Sequence, residues 1–354
     1  GDEFLAEQER RRAQNLRDQI YDVTAWSLPI MMNVQAATCN RALAPAMIAA
    51  GPEIVQPGTM AGGSGSVAYL VPWGTSAAAR LLAQALTAGV KVKSNDLAFT
   101  HMGTRYPSGT LIVDVADNDG SLAETMAELA ASTGADVVAV DDSWVTDGPN
   151  FGSGNVVRFS RPKVAMAWDR PTSSNIAGNT RFVIERQFDY PVTAIRTSRM
   201  ASSDLSQHHV IILPETRGAG YASVLGEQGA ENLKDWVAKG GVLIGVGNAN
   251  RYLTDPDVNL LSIRREDAVV DNDEENGGDN GDDESATVPG SYLTEISAYN
   301  SMLVPEKGTL DSVAGVLIHA DVDPDHWLGA GVASPLNVLI RGADVYTPVT
   351  IDKG

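Results

Sequence analysis

The chain reads as an α/β protein whose larger part is a doubly wound, flavodoxin-like parallel sheet with helices on both faces. Three observations predict this. The apolar runs HVIILPE (209–215) and VLIGVGN (242–248) lack polar alternation, as strands buried on both faces do. Between them lies AENLKDWVAKGG (230–241), which places Leu233, Trp236 and Val237 on one helical face. Strand-like and helix-like stretches alternate through the region, the pattern of crossover-connected parallel strands.

The larger alternation begins with KVAMAWD (163–169) as a strand. SSNIAGNTRFVIERQFD (173–189) contains a helix, and PVTAIRT (191–197) is a strand. Upstream, a smaller α/β module is expected. Its strands are SVAYLVPW (66–73), VKVKS (90–94), GTLIVDV (109–115) and ADVVAVD (135–141). A helix over 75–89 ends at Gly89, the usual C-terminal glycine position. A second helix, 121–134, has Ser121 as N-cap, Glu124 completing a capping box and Gly134 as its stop. The turn-rich DGPNFGSGN (147–155) suggests a boundary. The domains expected are therefore 1–60, an N-terminal helix and docking segment; 61–155, the small module; and 156–354, the larger domain. Residues 4–20 read as a charged helix, and 21–35 as an aromatic docking segment broken at Pro29.

Residues 264–290 are Asp, Glu, Asn and Gly with almost nothing apolar. Such a segment cannot offset its ordering entropy by burial, so a disordered acidic insertion is expected. NDEENGGDNGDDE lacks the ligand spacing of an EF-hand, which favours a solvated loop over a calcium site. Beyond it, 312–323 and 335–346 are strand-like.

Net charge is -19, from 45 acidic and 26 basic residues. That disfavours nucleic acid and anionic membrane as partners, since both are polyanions. No apolar run approaches the ~18 residues of a membrane-spanning helix. Cys39 is the sole cysteine, which excludes an intrachain disulfide; a small buried hydrophobe is its expected role. The start at Gly1 reads as a short residual tag before an internal segment of a longer protein.

Several stretches in order resemble the C-terminal region of bacterial exported zinc carboxypeptidases of the carboxypeptidase A type. They are YDVTAWSLP (21–29), AYLVPW (68–73), FTHMGTRYPSGTLIV (99–113), KVAMAWD, HVIILPE, LKDWVAKGGVLIGVGN (233–248), HADVDPDHWLGAGV (319–332) and NVLIRGADVY (337–346). In that family a catalytic peptidase domain comes first and a class I glutamine amidotransferase-like domain follows. The resemblance implies a periplasmic or secreted protein. It also implies a partner in the peptidase domain of the same polypeptide, with the zinc held there, upstream of Gly1. The reading leaves room for a homo-oligomer.

The family's zinc ligands are a His-x-x-Glu pair and a distant His. The five histidines here are His101, His208, His209, His319 and His326, and none has Glu three residues on. No cofactor is therefore expected in this chain. The amidotransferase nucleophile is a cysteine in a Gly-x-Cys-x-Gly elbow, and the equivalent stretch is Gly245-Val246-Gly247-Asn248-Ala249. Gly247 stands at the nucleophile position, so no catalytic residue is expected there. Asp169, Glu215, Gly247 and Asn248 lie at the carboxyl ends of expected parallel strands and form a candidate vestigial pocket. HADVDPDH supplies the metal candidates His319, Asp321, Asp323 and His326, against which strand alternation is the simpler reading. His208 and His209 read as a loop-to-strand junction. Three functions follow in descending order: a non-catalytic accessory region, a ligand-binding module using the vestigial pocket, and a hydrolase pairing Ser or Thr with His319 or His326.

Overall fold

The computed structural model describes residues 2–16, 19, 28–32, 34, 36–37, 40–41, 57–218, 220–265, 295–297, 313–323, 326–332, 334–342 and 344–347. Cys39, the whole of 21–27 and residues 266–290 of the acidic segment lie outside them. It is a mixed α/β chain with several sheets, and it divides into two units. The first comprises Gly1–Ala36, Ile263–His319 and Asn337–Gly354. The second comprises Ala37–Ser262 and Ala320–Leu336.

The first unit opens with α1 (Asp2–Ala13). The helix expected over 4–20 stops early, because Asn15 adopts φ +53° and the Leu16 N–H donates back to Arg11 O at 2.9 Å. This is a left-handed helix stop, and asparagine tolerates it better than most side chains. One turn, α2 (Leu28–Met31), follows.

In the second unit, β1 (Met60–Gly62) and β2 (Ala68–Val71) precede α3 (Ser76–Thr87). The Thr75 hydroxyl caps α3 by accepting from Ala78 N at 3.1 Å. Then come β3 (Lys93–Asn95), β4 (Phe99–His101), β5 (Thr104–Tyr106), β6 (Leu111–Asp114), α4 (Leu122–Thr133), β7 (Val137–Val140), β8 (Val145–Asp147) and β9 (Val156–Arg158). Six strands form one sheet in the order β1-β7-β2-β6-β3-β9. Only β1 and β7 run parallel; the other neighbours are antiparallel.

Period-two alternation explains why both faces are buried. Tyr69, Val71, Leu111 and Val113 meet Leu81 of α3 and Met126 of α4 on one face. Ala68, Leu70 and Ile112 meet Phe99 and Tyr106 on the other, where the three-stranded sheet β5-β4-β8 supplies the cover. The turn-rich boundary at 147–155 falls inside this module, since β9 pairs with β3 beyond it. The capping box of α4 does not form. Ser121 Oγ donates to Asp119 Oδ1 at 2.8 Å, so a local acceptor outcompetes the helix N–H groups. Gly134 does end α4, in the left-handed region.

Two polar clusters tie the module. Asp141 accepts from Ser64 Oγ at 2.6 Å and Ser64 N at 2.9 Å, and from Ser66 N and Oγ, each at 2.9 Å. These bonds, the Ser64 hydroxyl's foremost, hold its carboxyl well below the usual carboxylate range. Lys93 joins β3 to Asp114 and, at 2.9 Å, to Asp117. Burial works to lower the Lys93 pKa, but the two carboxylates outweigh it and the net shift is upward.

The second part of this unit contains β10 (Val164–Trp168), α5 (Ser174–Phe182), β11 (Val192–Arg196), α6 (Thr197–Met200), β12 (Val210–Leu213), α7 (Ala222–Ala238), β13 (Val242–Gly245) and α8 (Asn250–Leu253). A short π-helical stretch, Val183–Gln187, prolongs α5. The sheet order is β11-β10-β12-β13, and every pairing is parallel. Ala165, Ile211 and Leu213 pack with Met200, Leu233 and Trp236 on one face. Met166, Ile212 and Val192 pack with Ala177 of α5 on the other.

Two expectations need correction here. Val237 is on the exposed side of α7, 36% accessible, while Leu233 and Trp236 are buried. Of VLIGVGN, Val242–Gly245 forms the strand, at the edge of the sheet among the described residues, with Val242 52% and Ile244 43% exposed. His208 and His209 lie at the amino end of β12 as a junction: His209 Nδ1 accepts from Lys163 N at 2.8 Å, and His208 O accepts from Trp236 Nε1 at 3.0 Å. In the C-terminal part of the chain, β14 (Val313–Ala320) and β15 (Leu336–Gly342) form a two-stranded sheet. Among the described residues no helix is long and apolar enough to cross a membrane.

Two predictions follow from this packing. Leu213→Ala should cost about 2–5 kcal/mol, because Leu213 is fully buried; Val237→Ala should stay within about 0.5 kcal/mol. Urea denaturation of both variants checks the contrast. The Asp141 clamp is an acid-sensitive contribution. A depressed folded pKa adds stability above the ordinary aspartate value of ~3.9 and loses it as pH falls below that value. Asp141→Asn should therefore lower the urea midpoint at neutral pH and lose part of the wild-type decline in acid.

Candidate ligand-binding edge of the parallel sheet

Open parallel sheets place ligands outside the carboxyl ends of their strands. Here three such ends are laced together. Asp169 follows β10 at φ +78°, a conformation that short polar side chains tolerate. Its carbonyl accepts from Thr172 N at 2.8 Å and from the Thr172 hydroxyl. Ser173 N then donates to Glu215 O, beyond β12, at 2.7 Å, and Arg217 N donates to Pro171 O at 3.0 Å. The Asp169 carboxylate accepts from Thr197 N at 3.3 Å and faces Arg196 Nη1 at 3.9 Å.

The next link joins β12 to β13. Asn248 Oδ1 accepts from Thr216 N at 2.7 Å and Thr216 Oγ1 at 3.1 Å, while Asn248 Nδ2 donates to Thr216 O at 3.1 Å. Both ends of the Asn248 amide are thus engaged by Thr216. Gly247 beside it sits at φ +59°, the left-handed region that favours glycine. A Cβ built there would lie 2.9 Å from Glu215 Oε2 and 3.3 Å from Glu215 Cβ. Glu215 therefore fills the space above the tip of β13. Behind the tip, Tyr252 is buried on α8, its hydroxyl has no hydrogen-bond partner among the described residues, and burial pushes its pKa up to about 12.

The four residues of the expected pocket separate accordingly. Glu215, Gly247 and Asn248 come together in a filled knot. Asp169 instead lines an open cleft of about 800 Å³ one strand away. Trp168, Pro171 and Val224 give that cleft apolar walls, and Arg170 and Arg217 line it with charge. Arg181 lies 5.3 Å from the centre of the Trp168 ring and pairs with Glu185 at 2.8 Å.

Sequence reasoning passed over Arg170, Arg217 and Trp168. The signal was available: Arg170 directly follows a strand-end acid, and Arg217 lies two residues after another. His319 is exposed one residue before the end of β14, and Asp321, Asp323 and His326 are exposed as well. His326 Nδ1 accepts from Leu328 N at 3.2 Å. Among the described residues no three His, Cys, Asp or Glu side chains converge as metal ligands.

No family model matches the chain, and neither a curated protein nor a solved structure matches it.

The Gly247–Glu215 contact makes a measurable claim. Gly247→Ala should cost about 1–2 kcal/mol from the left-handed backbone alone, with more from the Glu215 contact. In the double variant with Glu215→Ala at least ~0.5 kcal/mol should return as coupling energy. A double-mutant cycle from chemical denaturation reads it; strict additivity would mean the two side chains do not compete for that space.

Proposed function

We propose that the chain is a non-catalytic accessory region of an exported zinc carboxypeptidase-type protein, built on a class I glutamine amidotransferase-like, flavodoxin-like sheet. The observation that carries this reading is the tip of β13. It keeps a left-handed elbow at Gly247, as a nucleophile-bearing turn would, yet offers no sulfur or hydroxyl, and Glu215 occupies the space above it. An acyl-enzyme has no atom on which to form there.

The strand order supports the fold assignment. β11-β10-β12-β13, all parallel, corresponds to the first four positions of the flavodoxin-like order 2-1-3-4-5. Helices lie on both faces, as that class requires. The sequence segments that resemble the family fall on β2, the β4–β6 region, β10, β12 and α7–β13.

The zinc chemistry belongs to the parent reading alone. With no His-x-x-Glu in the chain and no convergent ligand set among the described residues, the family's metal does not fit the residues present here. No step is assigned to it. The accessory role is to dock on the peptidase domain of the same polypeptide and shape substrate access, outside the cytoplasm.

Two measurements test the proposal. The reading frame upstream of Gly1 should run into a His-x-x-Glu motif behind a signal sequence; an initiator codon directly before Asp2 would remove the parent assignment. The purified chain should release no ammonia from glutamine and no C-terminal residue from a blocked dipeptide. Turnover abolished by Glu215→Gln would overturn the non-catalytic reading.

A further inference from the structure

We propose that the cleft beyond β10 and β12 binds a small organic carboxylate, with its acid group held by Arg170 and Arg217 and its apolar body against Trp168, Pro171 and Val224. This goes beyond the accessory reading and does not depend on it.

The two arginines are the first observation. Both line the cleft, and among the described residues neither guanidinium has a hydrogen-bond or ion-pair partner. Acids outnumber bases 45 to 26 in this chain, so a carboxylate partner is statistically easy to find. Arg158, Arg181 and Arg105 each have one. Arg41, Arg186 and Arg199 are likewise unpaired among the described residues, so what sets Arg170 and Arg217 apart is that both line one concave site. Their planar donor forks suit a two-oxygen acceptor.

The second observation is that their loops are braced. The Arg217 N–H to Pro171 O bond and the Ser173 N–H to Glu215 O bond tie the arginine-bearing segments to each other. Together these two bonds make the antiparallel bridge between Thr172 and Thr216. The backbones under the two arginines are thus held before any ligand arrives, which reduces the entropy lost on binding.

Charge and shape then select the ligand. Asp169 also lines the cleft, so the local balance is two positive charges against one negative. A monoanion neutralises that balance; a phosphate dianion would overshoot it beside the Asp169 carboxylate. The cleft, at about 800 Å³, falls within the ~300–1,000 Å³ range of small-molecule sites. Its indole wall and Pro171, Ala177 and Val224 suit an aromatic or aliphatic body. Ser174, in the first turn of α5, adds a hydroxyl at the rim. On a chain of net charge -19, such a patch is a local attractor for an anion that the rest of the surface repels.

Calorimetric titration of the full chain with N-acetylphenylalanine, N-acetylleucine, their amides and inorganic phosphate tests the proposal. At least one acid should bind, and its amide should bind ~10-fold more weakly or not at all, the loss expected when a charge-assisted hydrogen bond is removed. Arg170→Gln and Arg217→Gln should each weaken the acid by a similar factor. Arg186→Gln, an exposed arginine outside the cleft, should leave it unchanged. All three variants change exposed side chains, and circular dichroism confirms that they fold. Equal binding of acid and amide, tighter binding of phosphate, indifference to either cleft arginine, or no heat with either acid up to ~10 mM would each overturn the proposal.

Discussion

The side chain of Asn248 bonds Thr216 through both its amide oxygen and its amide nitrogen, and the carboxyl edge of the parallel sheet follows from that. One amide oxygen takes two donors and the amide nitrogen returns one bond to the same residue's carbonyl. This clip fixes the ends of β12 and β13 against each other. With Asn248 turned to Thr216, the preceding Gly247 is held at φ +59°, and Glu215 projects over it. The space above Gly247 at the tip of β13 is thus filled by the side chain of Glu215, from the loop after the neighbouring strand. Such a carboxylate would also oppose a negatively charged intermediate.

The same lacing moves the open space sideways. Ser173 and Arg217 pass hydrogen bonds between the β10 and β12 loops, so these loops form a braced rim in place of a mobile pair. The concavity lies between β10 and β12, at the point where the chain leaves β10 toward both neighbours. In a sheet ordered β11-β10-β12-β13, β10 is the first strand and its two neighbours are reached in opposite directions. That is the switch point at which the loops diverge and leave a crevice. Position in the topology accounts for the cleft better than any motif does.

Much of this architecture was legible in the residues. Apolar runs marked β10, β12 and the first module's β2, β6 and β7, because burial on both faces demands continuous apolar sequence. Glycines at 89 and 134 marked helix ends, because a left-handed stop strongly favours glycine. The failures have equally local causes. VLIG reads as a central strand, yet strand order puts it at an edge, and hydropathy does not encode order. Ser121 and Glu124 spell a capping box, but Asp119 offers Ser121 a nearer acceptor. At the site, strand-end reasoning found Asp169, Glu215 and Gly247 but treated them as one pocket. Their separation depends on how the Asn248 amide is spent, which requires coordinates. The cleft arginines went unnoticed because attention to nucleophiles and metal ligands gives no weight to an unpaired cation.

An unpaired arginine is an energetic statement in a chain this acidic. A surface ion pair contributes only about 0–1 kcal/mol, so partnering Arg170 or Arg217 would have added little stability, and leaving them free costs little. Selection for stability alone therefore leaves their pairing open. A bound anion changes that balance, since the cation's full charge is available only if no internal carboxylate has claimed it. Asp169 lines the same cleft, and its φ of +78° and its acceptance from Thr197 N hold it in place beside Arg196. The backbone of that one aspartate thereby helps keep two guanidinium groups uncommitted at the carboxyl edge of the sheet, where the cleft leaves room for a guest.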